Sequence, residues 1–251
     1  MNAWWLAVLL KRLYIYDLQN FCKNVIFMRH TNRQLVWFLP LVWVLLLPVH
    51  AGCQEQDGPY KGLKDADMIR ILKNFTHQAN RWNVPPEDGR LLYDLILRNH
   101  YKQVVEVGTS NGYSALWMGF ALQKTGGRLI TIEINRQRAL EARQNMEEAG
   151  LSSVVEVRLN DALDELPKLE GPVDMVFLDA DKSQYMEYFQ YLDDLVRSGG
   201  AITAHNVSTM EYAMRDFLQA LRNRSLYETQ IHRDSRQGLL VAYKRDNAEG
   251  R

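Results

Sequence analysis

Three observations in this chain predict an α/β fold with a mostly parallel sheet covered on both faces by helices. Short apolar strands alternate with helical segments from residue 103 to residue 222, the pattern of a doubly wound sheet. The run Val104-Val105-Glu106-Val107-Gly108-Thr109-Ser110-Asn111-Gly112-Tyr113-Ser114 reads as a strand feeding a glycine turn that opens a helix, the kind of βα junction at which cofactors bind. Polar residues collect where strands end: Glu106, Glu133, Asp161, Asp179 and His205-Asn206. In an open α/β sheet, ligands sit beyond those carboxyl ends.

The elements follow in order. Asp65 to Asn80 carries Met68, Ile69, Leu72 and Phe75 at helical spacing, and a second helix is expected over Gly89 to Arg98 after Pro85-Pro86. The first strand is Gln103 to Val107, with a helix from Tyr113. Arg128 to Ile132 is the second strand, and its helix, Gln137 to Ala149, is closed by Gly150. Val154 to Arg158 forms a third strand, and Asp161 can cap the helix after it. Val173 to Leu178 is the most apolar strand, followed by a helix over Tyr185 to Arg197 that ends before Gly199-Gly200. Ala201 to Ala204 and a helix over Met210 to Arg222 come next. Tyr227 to His232 and Leu239 to Lys244, joined by a short polar loop ending at Gly238, predict a hairpin. Tyr185, Met186, Tyr188, Phe189, Tyr191 and Leu192 invite an aromatic-cage reading, but their helical spacing assigns most of them to the core.

Composition narrows the function. At 251 residues the chain suits one full α/β domain and is too short for two with a linker. Thirty basic and thirty acidic residues cancel, so no global field draws nucleic acid. Cys22 and Cys53, the only cysteines, precede the folded region, which leaves its chemistry to oxygen and nitrogen groups.

The front of the chain differs from the rest. Leu35 to Val49 is an apolar run broken by Pro40 and Pro48, shorter than the roughly 20 residues a spanning helix needs. Arg29 and Arg33 after Met28 form a basic flank, and Ala51-Gly52-Cys53 closes the run with small residues before a cysteine. This resembles the signal and lipobox of bacterial lipoproteins, although His50 departs from it. The alternative is a retained signal anchor with Cys53 as a plain thiol. Residues 1–52 are therefore expected to be a signal or membrane anchor, with 1–27 as an upstream extension. A linker over 53–64 and the folded domain over 65–251 follow. The basic flank predicts membrane association, with the domain outside the cytoplasm; if 1–52 is no true signal, the domain is cytoplasmic.

Glu133 stands about 20 residues after the glycine turn, where a carboxylate takes two ribose hydroxyls. Yet Gly108 and Gly112 stand four apart, and Ser110 occupies the place of the glycine that a pyrophosphate requires. A cofactor with a ribose but no pyrophosphate fits better, which disfavours an NAD oxidoreductase.

The order Glu106, Glu133, Asp161, Phe177-Leu178-Asp179-Ala180-Asp181-Lys182 and Ala204-His205-Asn206-Val207 resembles the class I S-adenosylmethionine (SAM) methyltransferases, in particular the cation-dependent O-methyltransferases of the catechol and caffeoyl-CoA type. The likeness covers roughly Ala79 to Lys244, including Trp82-Asn83-Val84 with Gly89 beyond it. It implies a Rossmann-like sheet of seven strands with the last antiparallel, and methyl transfer from SAM to a hydroxyl of a small phenolic or catecholic acceptor. It further implies that Val84, Glu106, Gly108, Ser114, Glu133, Asp161, Ala162 and Asp179 line the cofactor. A homodimer is possible, and export would part the domain from cytoplasmic SAM. A non-catalytic exported protein that binds SAM or another nucleoside is the alternative from a different class.

The resemblance also implies a metal at Asp179 and at the positions held by His205 and Asn206, with Lys182 as catalytic base. His205 is the departure, because the family presents Asp-Asn there. Imidazole in place of carboxylate favours Mn²⁺, Fe²⁺ or Zn²⁺ over Mg²⁺. His205 can instead be a general base in a metal-free site, or a structural histidine. Lys182 can equally be a solvated lysine at a helix start, and Glu106 a structural partner in the fold.

Overall fold

The computed structural model describes residues 58–76 and 83–246. The signal-like run, Cys53 with the rest of the linker's first five residues, and Trp82 lie outside the described residues. Among the described residues no helix is long and apolar enough to cross a membrane.

Helix α1 (Ala66–Thr76) begins where Asp65 accepts the Met68 N–H at 3.0 Å, and it buries Met68, Leu72 and Phe75. Helix α2 spans Pro86–Asn99 and so starts earlier than expected. Proline suits a first helical position, since its missing N–H would be unpaired there. Gly89 therefore lies inside the helix, and a Cβ on it would come within 2.4 Å of the Trp117 indole. Glycine at this position lets α2 press against α3 (Tyr113–Thr125), which is buried from Tyr113 to Leu122.

The first strand, β1 (Gln103–Val107), leads into α3 through Gly108 and Gly112, both at positive φ. Then come β2 (Arg128–Glu133), α4 (Arg136–Glu148), β3 (Val155–Leu159), the short α5 (Ala162–Glu165), β4 (Val173–Leu178) and α6 (Tyr185–Leu195). The chain passes straight from α6 into β5 (Val196–His205), so Gly199-Gly200 does not separate them as expected. Val173 pairs with Val196 and Met175 with Ala201, which makes Arg197 to Gly200 a bulge in one long strand. Helix α7 (Arg215–Asn223) follows a 3₁₀ turn over Glu211–Met214. The hairpin of β6 (Tyr227–His232) and β7 (Leu239–Lys244) forms as expected.

The described strands make one seven-stranded sheet in the order β3-β2-β1-β4-β5-β7-β6. Strand β7 is antiparallel to β5 and β6, and the pairs from β3 through β5 are parallel. One core joins α1 to α4 to the sheet, and a second holds α5 to α7. Tyr185, Tyr188, Phe189 and Leu192 belong to the second core, while Tyr191 faces outward. Between β1 and β4 the chain reverses its winding, and a crevice opens at such a switch point.

Candidate active site

A cavity of about 890 Å³ lies at the carboxyl ends of β1 to β5, within the size range of small-molecule sites. Val84, Gly108, Ser114, Glu133, Asp161, Ala162, Asp179, Lys182, His205 and Asn206 all line it. Each sits where a strand ends or the next helix begins, so the fold delivers them to one place.

The floor is made of backbone. Gly108 adopts φ 99°, and a Cβ there would come 2.5 Å from the Asp179 carbonyl oxygen. The β1 and β4 ends can approach this closely only with glycine. Ser110 takes a left-handed φ of 49° and presents its N–H to Glu133 Oε2 at 2.7 Å, while the Asn135 N–H reaches Glu133 Oε1 at 2.9 Å. Two N–H groups thus fix a nearly buried carboxylate, and its remaining lone pairs are left for hydroxyl donors in the cavity. Asp161 caps α5 by accepting from the Leu163 N–H at 2.9 Å while it also faces the cavity. Capping therefore does not withdraw it from the cavity wall.

Glu106 corrects an expectation. Its side chain is wholly buried below the cavity and is not among the lining residues. The hydroxyls of Ser114 and Thr131 bond its two oxygens. Burial, only partly offset by these hydrogen bonds, pushes its carboxyl up to about 8. Glu106 holds β1, β2 and the start of α3 together and touches no ligand space.

At the other end of the cavity, Lys182 Nζ donates to Asp179 Oδ1 at 2.7 Å. The His205 ring lies 2.9 Å from Asp88 Oδ2 through Nε2 and 3.3 Å from Asp179 Oδ2 through Nδ1. Burial disfavours a charged ring, but hydrogen bonds to Asp179 and Asp88 outweigh it and raise His205 to about 9. The Ser235 hydroxyl donates to Asp88 Oδ2 at 2.6 Å. Asn206 adopts φ 63° and turns the chain, its carbonyl accepting from the N–H groups of Thr209 and Met210.

Asp179, His205 and Asn206, the residues expected to hold a divalent cation, line the same end of the cavity. His205 Nε2 is held by Asp88, as an outer carboxylate orients a ligating histidine, and Nδ1 stands 3.3 Å from Asp179 Oδ2, a separation two ligands of one cation can share.

Sequence reasoning missed Asp88 and Ser235. Asp88 did leave a signal, because it shares the α2 stripe of Leu92, Leu95 and Ile96, all buried, and a carboxylate on an apolar stripe needs a buried partner. Ser235 left none. Asn83 Oδ1 and Asn111 Nδ2 are buried without a partner, and both residues line the cavity. Unpaired polar atoms on a cavity wall call for a polar ligand.

A family model described as O-methyltransferase matches residues 61–225. The chain is 45% identical over 129 residues to a catechol O-methyltransferase of Niastella koreensis, a match covering 50% of this chain and 58% of that one. Against a catechol O-methyltransferase of Mycobacterium tuberculosis it is 38% identical over 125 residues, covering 49% of this chain and 56% of the other. The matches thus span little more than half the length of these two relatives. A solved O-methyltransferase from Bacillus cereus in complex with SAH superposes with a TM-score of 0.65 at 26% identity, covering 76% of this chain and 96% of that chain. The fold is that of a class I methyltransferase. The chain belongs to the O-methyltransferase family.

Proposed function

We propose that this domain transfers a methyl group from SAM to a hydroxyl of a small, phenolic or catecholic acceptor. The observation that carries the reading is Glu133, a carboxylate fixed by two backbone N–H groups at the strand end that opens onto the cavity. The named catechol O-methyltransferase relatives support the acceptor class.

The residues fit the cofactor. Glu133 accepts from the ribose hydroxyls, and Asp161 with Ala162 borders the base. Ser114, Gly108 and Val84 line the remaining wall, and the unpaired Asn83 and Asn111 atoms meet polar groups of the methionine part. SAM supplies a sulfonium-bound methyl group: its carbon bonds to the acceptor oxygen as the carbon–sulfur bond breaks and that electron pair stays on sulfur. The chain holds the acceptor oxygen in line and shields the reaction from water. The hydroxyl proton passes to the Lys182–Asp179 pair, which stands at the rim. Asp179, His205 and Asn206 would hold a divalent cation, which would supply positive charge to lower the acceptor hydroxyl's pKa.

Calorimetric titration of SAM into wild type and Glu133→Gln tests the cofactor assignment. Loss of a charged hydrogen bond is expected to weaken binding by about ten- to hundredfold, from about 1.5 to 3 kcal/mol. Equal affinities would sink it. Formation of S-adenosylhomocysteine across a panel of phenols and catechols tests the reaction. SAM binding with no turnover on any of them would leave a non-catalytic SAM-binding protein.

A further inference from the structure

Asp88 lies in the first turn of α2 and is 1% exposed, beside a stripe filled by Leu92, Leu95 and Ile96. A carboxylate so placed is costly unless something holds its charge, and among the described residues no lysine or arginine pairs with it. It meets the His205 ring instead, 2.9 Å from Oδ2 to Nε2, and the Ser235 hydroxyl donates to the same oxygen at 2.6 Å. Ser235 Oγ in turn accepts the Gly238 N–H at 3.2 Å. The Val207 and Ser208 N–H groups donate to the Gly238 and Gln237 carbonyls, which ties that loop to the chain just after His205. The ring is thus gripped from α2 directly and from the β6–β7 loop through Ser235.

With Nε2 held, the ring turns Nδ1 toward Asp179, 3.3 Å from Oδ2. Two ligands each about 2.1 Å from one cation stand about 3.0 to 3.4 Å apart when the angle between them is about 90 to 110°. Of Asp179, His205 and Asn206, only Asp179 brings a carboxylate to a doubly charged ion, because imidazole and amide ligands carry no charge. Asp88 adds a second negative charge one ring further out. A carboxylate on the outer nitrogen of a ligating histidine also fixes the ring's direction and raises its basicity.

We propose that Asp88, braced by Ser235, is a positioning residue for a divalent cation held by Asp179, His205 and Asn206. It aims His205 Nδ1 at the ion and supplies the second carboxylate charge from outside the cavity wall. The inference rests on the metal-assisted reading of the site and deepens it, since neither Asp88 nor Ser235 belongs to the expected ligands.

The test reads metal binding rather than turnover. Mn²⁺ is titrated into the full chain by calorimetry and electron paramagnetic resonance, and electron spin echo modulation detects a nitrogen bound directly to the ion. Wild type is expected to bind one Mn²⁺ with a nitrogen coupling that His205→Ala lacks. Asp88→Asn keeps the shape of the side chain and removes its charge, and it is expected to weaken Mn²⁺ binding by about ten- to hundredfold. SAM affinity, measured beside it, is expected to stay within about twofold and shows that the variant is folded. Ser235→Ala leaves the carboxylate in place and is expected to weaken Mn²⁺ by about threefold, which decides the matter if Asp88→Asn does not fold. Wild-type Mn²⁺ affinity in folded Asp88→Asn, or in Ser235→Ala where only that variant folds, would overturn the positioning role and leave the cation reading standing. Wild type that binds no Mn²⁺, or binds it without a nitrogen coupling, would overturn the proposal together with His205 as a ligand.

Discussion

Glu106 and His205 are two buried titratable residues whose environments push in the same thermodynamic direction. Glu106 ionises at about 4.5 when solvated and about 8 in the fold, so above pH 4.5 the unfolded chain releases a proton that the folded chain keeps. Stability from this group is present below pH 4.5 and is lost as pH rises to about 8, at about 1.4 kcal/mol per pH unit. His205 behaves alike, holding its proton to about 9 in the fold against 6.5 outside it. Its contribution is full below pH 6.5 and is lost as pH rises through 9. Between pH 5 and 6.5 only Glu106 of the two differs between states, so Glu106→Gln is expected to flatten the fall in stability there. Denaturant unfolding of both proteins at several pH values checks this, and parallel slopes would show that Glu106 is ionised within the fold.

At the scale of elements, the contact between α2 and α3 sets the position of Asp88. Gly89 is its neighbour in α2, and the Trp117 indole occupies the space a Cβ would need. Overpacking of this sort costs about 1 to 3 kcal/mol, so Gly89→Ala is expected to lower stability by that amount even though alanine is the better helix former. The urea midpoint measures it. An unchanged or raised midpoint would mean that the two helices part at no cost. The same close packing explains why the start of α2 differed from its sequence reading. A glycine after a proline pair looks like a boundary when only local preference is weighed, and here it serves an interhelical contact. Gly199-Gly200 misled in the same way, because strand pairing with β4 absorbs it as a bulge.

For the whole molecule, the reversal of strand order between β1 and β4 gathers the candidate site. Residues far apart in sequence meet there because every parallel strand points its carboxyl end the same way. The front of the chain raises a separate expectation that Cys53 becomes a lipid-bearing first residue after export. Expression of the full chain in a bacterial host should yield a detergent-partitioning species with acyl mass, and Cys53→Ser should abolish both. Retention of the preceding residues, or an intact mass without acyl chains, would favour the signal anchor.

By itself the sequence determined the α/β class, the strand positions to within a residue or two except at the start of β5, the closing hairpin, and the polar residues delivered to the strand ends. These depend on local periodicity and on the rule that parallel strands end together, both readable along the chain. Only the tertiary structure decided what those residues face. Glu106 and Glu133 stand at consecutive strand ends, yet one lies below the cavity and the other on its wall. The bond between His205 and Asp88 spans 117 residues, and that between Ser235 and Asp88 spans 147. No local pattern encodes such pairs. The packing of α2 on α3 and of the β6–β7 loop over the sheet brings them together, and it sets the His205 ring between Asp88 and Asp179.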